Sequence, residues 1–422
     1  MIRQYLYMAV VCLVCLISSL ALADNPVKNI ATTKIFDDFW QEAKTNIYPK
    51  EREHEFFTES TYRALKRKVE RASDIYELTP VFNDFLQKLG VSHTRFFDNH
   101  SIDFYMFRSM FLTRDISTPE VNHIGAQYSI IDSQYVIREV LDGYPSALAG
   151  LRRGDILLKA NGKPFHPYRS FNPAGKNINL MVLRNEKQIS LKIDAVTENP
   201  NLSFYNAMIE SAHTYEIGKQ KVGYVHLWSG THKNIQNKFK EIIETEFHDM
   251  DGIILDLRGG FGGAWYEYLD PFFPDRNDFF EYTWIDRDGE EKLNKPQSKV
   301  NEIHFSGPMV VLINEGVRSG KEALAYQFKK TNRAILIGTN TKGAFTAGRG
   351  IFNDEKLPYF LYLATGELLL DGTRVEGFGI SPDIYVPYSL QESALSDPQL
   401  NAAILEITKR INNNVKQMNH EP

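Results

Sequence analysis

The chain has 422 residues, more than one hydrophobic core usually organises, so two or three domains are expected. Apolar residues make up 43% and aromatic residues 12% of it, enough to fill packed cores and to exclude wholesale disorder. The formal net charge is −5 and no dense run of Lys and Arg occurs, which argues against nucleic acid and anionic membrane surfaces as partners.

Residues 1–23 carry one cation, Arg3, ahead of an apolar stretch from Leu6 that ends in Ala21-Leu22-Ala23. Small residues at alternate positions, followed by the polar Asp24 and Asn25, predict a cleaved signal peptide. An uncleaved anchor is the alternative, because about 18 apolar residues can just span a bilayer. The expectation is export to a periplasm or the exterior, with no membrane insertion once the leader is removed. Both cysteines, Cys12 and Cys15, fall in this segment, so the mature chain is expected to need no disulfide and no thiol chemistry.

From 24 to 100 the apolar period is helical. Ile35, Phe36, Phe39, Trp40, Ala43 and Ile47 share one face, as do Leu78, Val81, Phe82, Phe85, Leu86 and Leu89, with Gly90 as the stop. This predicts a small helical domain whose last helix delivers Ser92-His93-Thr94. From 101 to 197 the pattern turns to short strands and turns. The string Pro145-Ser146-Ala147-x-Ala149-Gly150-Leu151, then Gly154-Asp155-Ile156-Leu157 and Asn161-Gly162, resembles a bacterial PDZ domain in circularly permuted form. The resemblance implies a strand edge beside a short helix, where a polypeptide end adds as an extra strand. Backbone amides of Ile124, Gly125, Ala126 and Gln127 would take its carboxylate. A closed groove that only packs domains is the alternative.

From 198 to 422 strands and helices alternate. Val222–Leu227, Ile253–Leu257, Met309–Ile313 and Arg333–Ile337 read as strands, and Asp397-Pro398 opens a final amphipathic helix. Within this α/β core the segment Met309 to Phe328 runs from a buried strand through a tight turn into a helix that Ser319 opens. A serine there lies beside helix N–H groups that favour an alkoxide. Ser319-x-x-Glu322 also fits a capping box with no catalytic role. Asp256-Leu257-Arg258-Gly259-Gly260-Phe261-Gly262-Gly263 follows another strand and lets backbone approach a ligand, without the spacing of a dinucleotide site. Metal-ligand patterns are missing, and neither a metal nor a cofactor is expected.

Taken in order, the helical segment, the PDZ-like module, the Asp-Leu-Arg…Gly-Gly turn, the serine turn and Glu376-Gly377-Phe378-Gly379-Ile380-Ser381-Pro382-Asp383 resemble the tail-specific, carboxyl-terminal-processing serine peptidases. The resemblance implies a multidomain α/β (α+β) fold with a ββα core of the crotonase/Clp type. It implies polypeptide substrates, with homo-oligomerisation left open. It makes Ser319 the nucleophile and places oxyanion donors at Gly320 and at Gly262 or Gly263. The better-known branch draws its base from a lysine that Ala344 replaces here. The branch that resembles the tricorn core uses a histidine, which matches Ser92-His93-Thr94. His93 is thus the expected base, Glu376 the carboxylate that orients it, and Ser92 an auxiliary, with His226 as the rival histidine. An imidazole base predicts a rate that falls as pH drops through about 6 to 7. Three alternatives stay open: an inactive scaffold that binds polypeptides, a Ser–Lys peptidase using Lys342 or Lys321, and an esterase or lactam hydrolase.

Overall fold

The computed structural model describes residues 26–418, apart from 174, 352, 353, 355 and 392–395. The leader and both cysteines lie outside the described residues. Among the described residues no helix is long and apolar enough to cross a membrane.

The core is a six-stranded sheet in the order His213–Ile217, Gln220–His226, Gly252–Asp256, Met309–Ile313, Ile335–Gly338 and Ile384–Tyr385. The first pair is antiparallel and the remaining pairs are parallel. Strands covered on both faces must be apolar throughout, which is why the Gly252 and Met309 strands are buried at every position. One face packs Val222, Ile254, Val310, Leu312 and Ile337 against Ala403, Ile407 and Ile411 of the helix Pro398–Met418. Asp397 starts that helix by accepting the amides of Gln399 and Leu400 at 2.9 and 3.0 Å. The other face packs Ile253, Leu255, Val311 and Leu336 against Leu324 and Phe328 of the helix Gly320–Lys330.

A second, antiparallel sheet is built on the long strand Tyr359–Leu370, which pairs with Arg95–Asp98, Tyr282–Asp286, Thr346–Gly350 and Thr373–Arg374. Its side chains alternate between two cores. Tyr359, Leu361 and Leu363 join Phe36, Phe39, Phe82, Phe85 and Phe96 of the N-terminal helices, while Phe360 and Tyr362 join the cluster that also packs the six-stranded sheet. The helical segment thus shares its core with this sheet, and the strand Arg95–Asp98 carries Ser92 and His93 to the junction.

Residues 126–193 form a third sheet in the order Ala126–Ile131, Gln134–Val140, Ile156–Ala160, Ile178–Arg184 and Lys187–Ile193. The chain enters and leaves this module through two short strands, Val121–His123 and Val196–Glu198, which pair with each other. The helix Pro145–Leu148 has only four residues. Ala126–Ile131 is an edge strand, and its Gln127 side chain clamps the core's glycine-rich turn, accepting the Gly260 amide at 2.7 Å and donating to the Gly260 carbonyl at 3.0 Å.

Candidate active site

The strand Met309–Ile313 hands over to the helix Gly320–Lys330 through a turn pinned by Asn314, whose Oδ1 accepts the amides of Gly316 and Gly259 at 2.8 and 3.1 Å. Ser319 sits at the helix start with φ 53° and ψ −134°. An ordinary helix-capping serine lies in the extended region, so this backbone is strained, at a cost of about 1–3 kcal/mol. Such strain is held only where surrounding contacts fix it. The Ser319 amide donates to Glu322 Oε2 at 3.0 Å and to the Ala344 carbonyl at 2.9 Å.

The glycine-rich turn lies directly against Ser319. A Cβ on Gly262 would fall 2.6 Å from Ser319 Cβ, and one on Gly320 would fall 1.9 Å from the Ala264 carbonyl oxygen. Only hydrogen atoms fit at either position, which lets the two backbones approach. Among the described residues the amides of Gly262, Gly263 and Gly320 have no hydrogen-bond acceptor. They are therefore available to an anionic oxygen near Ser319.

His93 also has positive φ, 53°. Its Nδ1 lies 2.8 Å from Ser92 Oγ and 3.3 Å from Thr346 Oγ1. Ser92 Oγ in turn donates to Glu376 Oε2 at 2.8 Å, and the Ser92 amide donates to Glu376 Oε1 at 2.9 Å. Because the Ser92 hydroxyl hydrogen is directed at the carboxylate, its oxygen accepts from the imidazole. That fixes the tautomer with the proton on Nδ1 and a lone pair on Nε2. Glu376 was expected to orient the ring itself. It acts on the ring through Ser92, because its own oxygens are occupied by Ser92 and by the amides of Phe345 and Thr346 at 2.5 and 3.0 Å. Burial and the neighbouring Arg318 guanidinium hold the His93 pKa down at about 4.

The imidazole's hydrogen bonds, among the described residues, go to Ser92 and Thr346 and none goes to Ser319. The turns that carry Ser319 and His93 are joined instead by the strap 343–346. Its four successive amides are divided between two buried carboxylates: Glu322 accepts those of Gly343 and Ala344 at 2.7 and 3.0 Å, and Glu376 accepts those of Phe345 and Thr346. Glu322, which the sequence presents only as a cap, is fully buried and also accepts Thr341 Oγ1 at 2.6 Å. Burial raises its pKa against the pull of those donors.

The rival groups have other occupations. His226 Nε2 bonds the Arg258 carbonyl at 2.7 Å and the ring stacks on Trp228 at 3.6 Å. Asp256 and Arg258 form a buried pair at 2.6 Å that extends to Asp397. Lys342 is exposed. Lys321 is fully buried, with Nζ on the carbonyls of Leu227, Trp228 and Gly259 at 3.1, 3.3 and 2.8 Å, so it braces the glycine-rich turn; burial lowers its pKa to about 7. Neither Lys321 nor Gln127 had a local signal, since both act on chain distant in sequence. The loop expected to take a carboxylate is already engaged. Ile124 is buried, the Gly125 amide donates to His123 Nδ1 at 3.0 Å, Ala126 starts the edge strand opposite Val140, and Gln127 holds Gly260. No three His, Cys, Asp or Glu side chains among the described residues are grouped to hold a metal.

Residues 221–386, which hold the core strands, Ser319 and Glu376, match the model of Peptidase family S41. The chain is 24% identical over 413 residues to the tricorn protease of Thermoplasma volcanium, covering 92% of this chain and 37% of that protein. It is 26% identical over 270 residues to the carboxy-terminal processing protease CtpA of Bacillus subtilis, covering 62% and 55%. The chain thus spans less than two thirds of the length of these curated relatives. In fold it is similar to the photosystem II D1 C-terminal processing protease, with a TM-score of 0.53 at 16% identity over 84% of this chain and 92% of that one. The segment that holds the strand-to-helix serine turn thus matches Peptidase family S41, and the chain is similar in sequence to carboxy-terminal processing proteases and in fold to one of them.

Proposed function

We propose that the chain hydrolyses peptide bonds by acyl transfer through Ser319. Ser319 Oγ attacks the carbonyl carbon as its proton passes to His93 Nε2. The carbonyl oxygen takes the negative charge against the amides of Gly320 and of Gly262 or Gly263. The imidazolium then protonates the leaving nitrogen, and water releases the acyl group by the reverse sequence. Ser92 and Glu376 stabilise the imidazolium across one intervening hydroxyl. The observation that carries this reading is the strained, non-glycine backbone of Ser319 against three unoccupied amides. The leader supports export, and the free edge of Ala126–Ile131 is the place where a polypeptide end would add as a strand. Gln127, the second residue of that strand, holds Gly260, so a bound polypeptide would bear on the glycine-rich turn.

A fluorophosphonate probe tests the chemistry. The unaltered chain is expected to form an adduct on Ser319 and to cleave an unfolded protein, and Ser319→Ala is expected to do neither while keeping its far-ultraviolet circular dichroism. An unlabelled Ser319 in the unaltered chain would favour a polypeptide-binding scaffold.

A further inference from the structure

On the long strand, Tyr362 pairs with Arg95 on one side and with Gly350 on the other, which sets its ring beside His93. The two rings meet edge to face, with centroids 5.7 Å apart and planes at 61°. Phe107 and Phe111 also pack on the tyrosine ring, at 4.6 and 5.5 Å. Gly348 makes room for the pair: a Cβ there would fall 2.6 Å from Tyr362 Oη and 2.8 Å from His93 Cβ. The phenol oxygen and the base therefore flank the same point.

That oxygen is unsatisfied. Tyr362 is 7% exposed, and among the described residues its hydroxyl has no hydrogen-bond partner. Tyr48, Tyr144, Tyr224 and Tyr266 are as deeply buried, and each of them donates. Their acceptors are Glu367 at 2.8 Å, Glu198, Asp256 at 2.9 Å and the Phe280 carbonyl at 2.7 Å. Tyr268 also lacks an acceptor, but its oxygen is sealed from solvent, whereas that of Tyr362 is not. Buried polar groups are nearly always paired, so an open, unfilled hydroxyl beside the base marks a place for an incoming acceptor. Burial raises the Tyr362 pKa, and the hydroxyl keeps its proton to donate.

We propose that Tyr362 is a substrate-binding residue on the departing side of the cleaved bond, its hydroxyl donating to a main-chain carbonyl of the leaving half. The leaving nitrogen takes its proton from the imidazole, so the half that departs must lie against His93 and the group beside it. The acyl half is held elsewhere, at Ser319 and the unoccupied amides of Gly320 and the glycine-rich turn. A main-chain carbonyl is the acceptor that every polypeptide carries next to the leaving nitrogen, whatever its side chains. Holding that carbonyl keeps the nitrogen within reach of His93 Nε2. The inference rests on the reading of Ser319 as nucleophile and His93 as base.

Tyr362→Phe removes one oxygen and keeps the ring on His93 and Phe107. Two substrates with the same acyl half are compared. One is a quenched fluorescent peptide copied from a bond that the chain cuts in unfolded casein. The other is the p-nitrophenyl ester of its acyl half, whose leaving group carries no main-chain carbonyl. Tyr362→Phe is expected to lower kcat/KM for the peptide at least about fivefold and to leave the ester within about twofold. An equal fall on both substrates would assign the hydroxyl to packing or to the acyl half and overturn the contact, as would no fall on either. If the unaltered chain lacks either reaction, binding decides: Ser319→Ala and the double variant with Tyr362→Phe are titrated calorimetrically with unfolded casein. Binding at least about threefold weaker in the double variant supports the contact, and equal or undetectable binding overturns it. A failure of the unaltered chain to cut casein bears separately on the peptidase reading.

Discussion

Ser92→Ala separates the hydroxyl relay from every other feature of the site. The substitution removes one oxygen that lies 2.8 Å from His93 Nδ1, 2.8 Å from Glu376 Oε2 and 2.8 Å from Thr346 Oγ1. It leaves the Ser92 amide on Glu376 Oε1, so the backbone that presents His93 keeps its anchor. A hydrogen bond to a charged group contributes about 1.5–3 kcal/mol. The imidazolium exists only after proton transfer begins, so the loss should fall on kcat. At about 1.36 kcal/mol per decade this is a fall of about 10- to 150-fold, with KM within about twofold. Complete loss of carboxylate support costs about 10⁴-fold in a Ser-His-Asp site. Ser92→Ala should fall short of that, because Thr346 Oγ1 stays 3.3 Å from Nδ1 and offers a substitute acceptor. Thr346→Ala should therefore cost little alone and add strongly to Ser92→Ala. Steady-state cleavage of a quenched peptide measures all three variants. A Ser92→Ala chain within threefold of the unaltered kcat, or one impaired in KM alone, would refute the relay.

Burial and Arg318 keep His93 neutral down to about pH 4, so the acid limb of kcat/KM is expected near pH 4 and not at the 6 to 7 of an ordinary imidazole. The sign follows from the base having to be unprotonated: activity is retained above the folded-state pKa and lost as pH falls through it, and a midpoint near 6.5 would contradict the burial. Lys321→Met keeps the chain length but leaves the Leu227 and Gly259 carbonyls without a donor, so denaturation should show a loss of about 2–4 kcal/mol; unchanged stability would count against the brace. Gly262→Ala, at a position where φ imposes no penalty, drives a methyl to 2.6 Å from Ser319 Cβ and 2.8 Å from the Arg318 carbonyl oxygen. It is expected to lower kcat at least about 100-fold with unchanged circular dichroism, whereas normal turnover would separate this turn from the oxyanion donors.

What the sequence displays depends on how local the cause is. Strands such as Ile253–Leu257 and Met309–Ile313 are legible because a strand covered on both sides has to be apolar at every position, and the last helix is legible from Asp397-Pro398 and its apolar stripe. The sheet built on Tyr359–Leu370 is not. That strand serves two cores at once, so its apolar run shows neither alternation nor a helical period, and one of its partners, Arg95–Asp98, lies in a stretch whose pattern is helical up to Gly90. Lys321 reads as a surface residue on its own helix, and only the convergence of carbonyls from 227, 228 and 259 explains its burial. The motif around Glu376 shows that a carboxylate approaches the base. Which of its neighbours intervenes is a matter of side-chain geometry, and Ser92 takes the position facing the ring.

The strap 343–346 gives the departure from the lysine branch a physical meaning. Ala344 occupies the position where, by resemblance, a lysine base would stand, and it is nearly buried, with its amide on Glu322 and its carbonyl on the Ser319 amide. Under the proposed mechanism the imidazole supplies the base, and a long cationic side chain has no role there. What the position must supply is backbone, because the strap links two residues held at positive φ. Glu322 fixes the Ser319 end and Glu376 the Ser92–His93 end. Each strained residue costs about 1–3 kcal/mol, and each is over-determined by a buried carboxylate that accepts four hydrogen bonds. Removing either carboxylate is therefore expected to release one of Ser319 and His93 from its geometry while leaving the other in place, and under the proposed mechanism either loss lowers kcat.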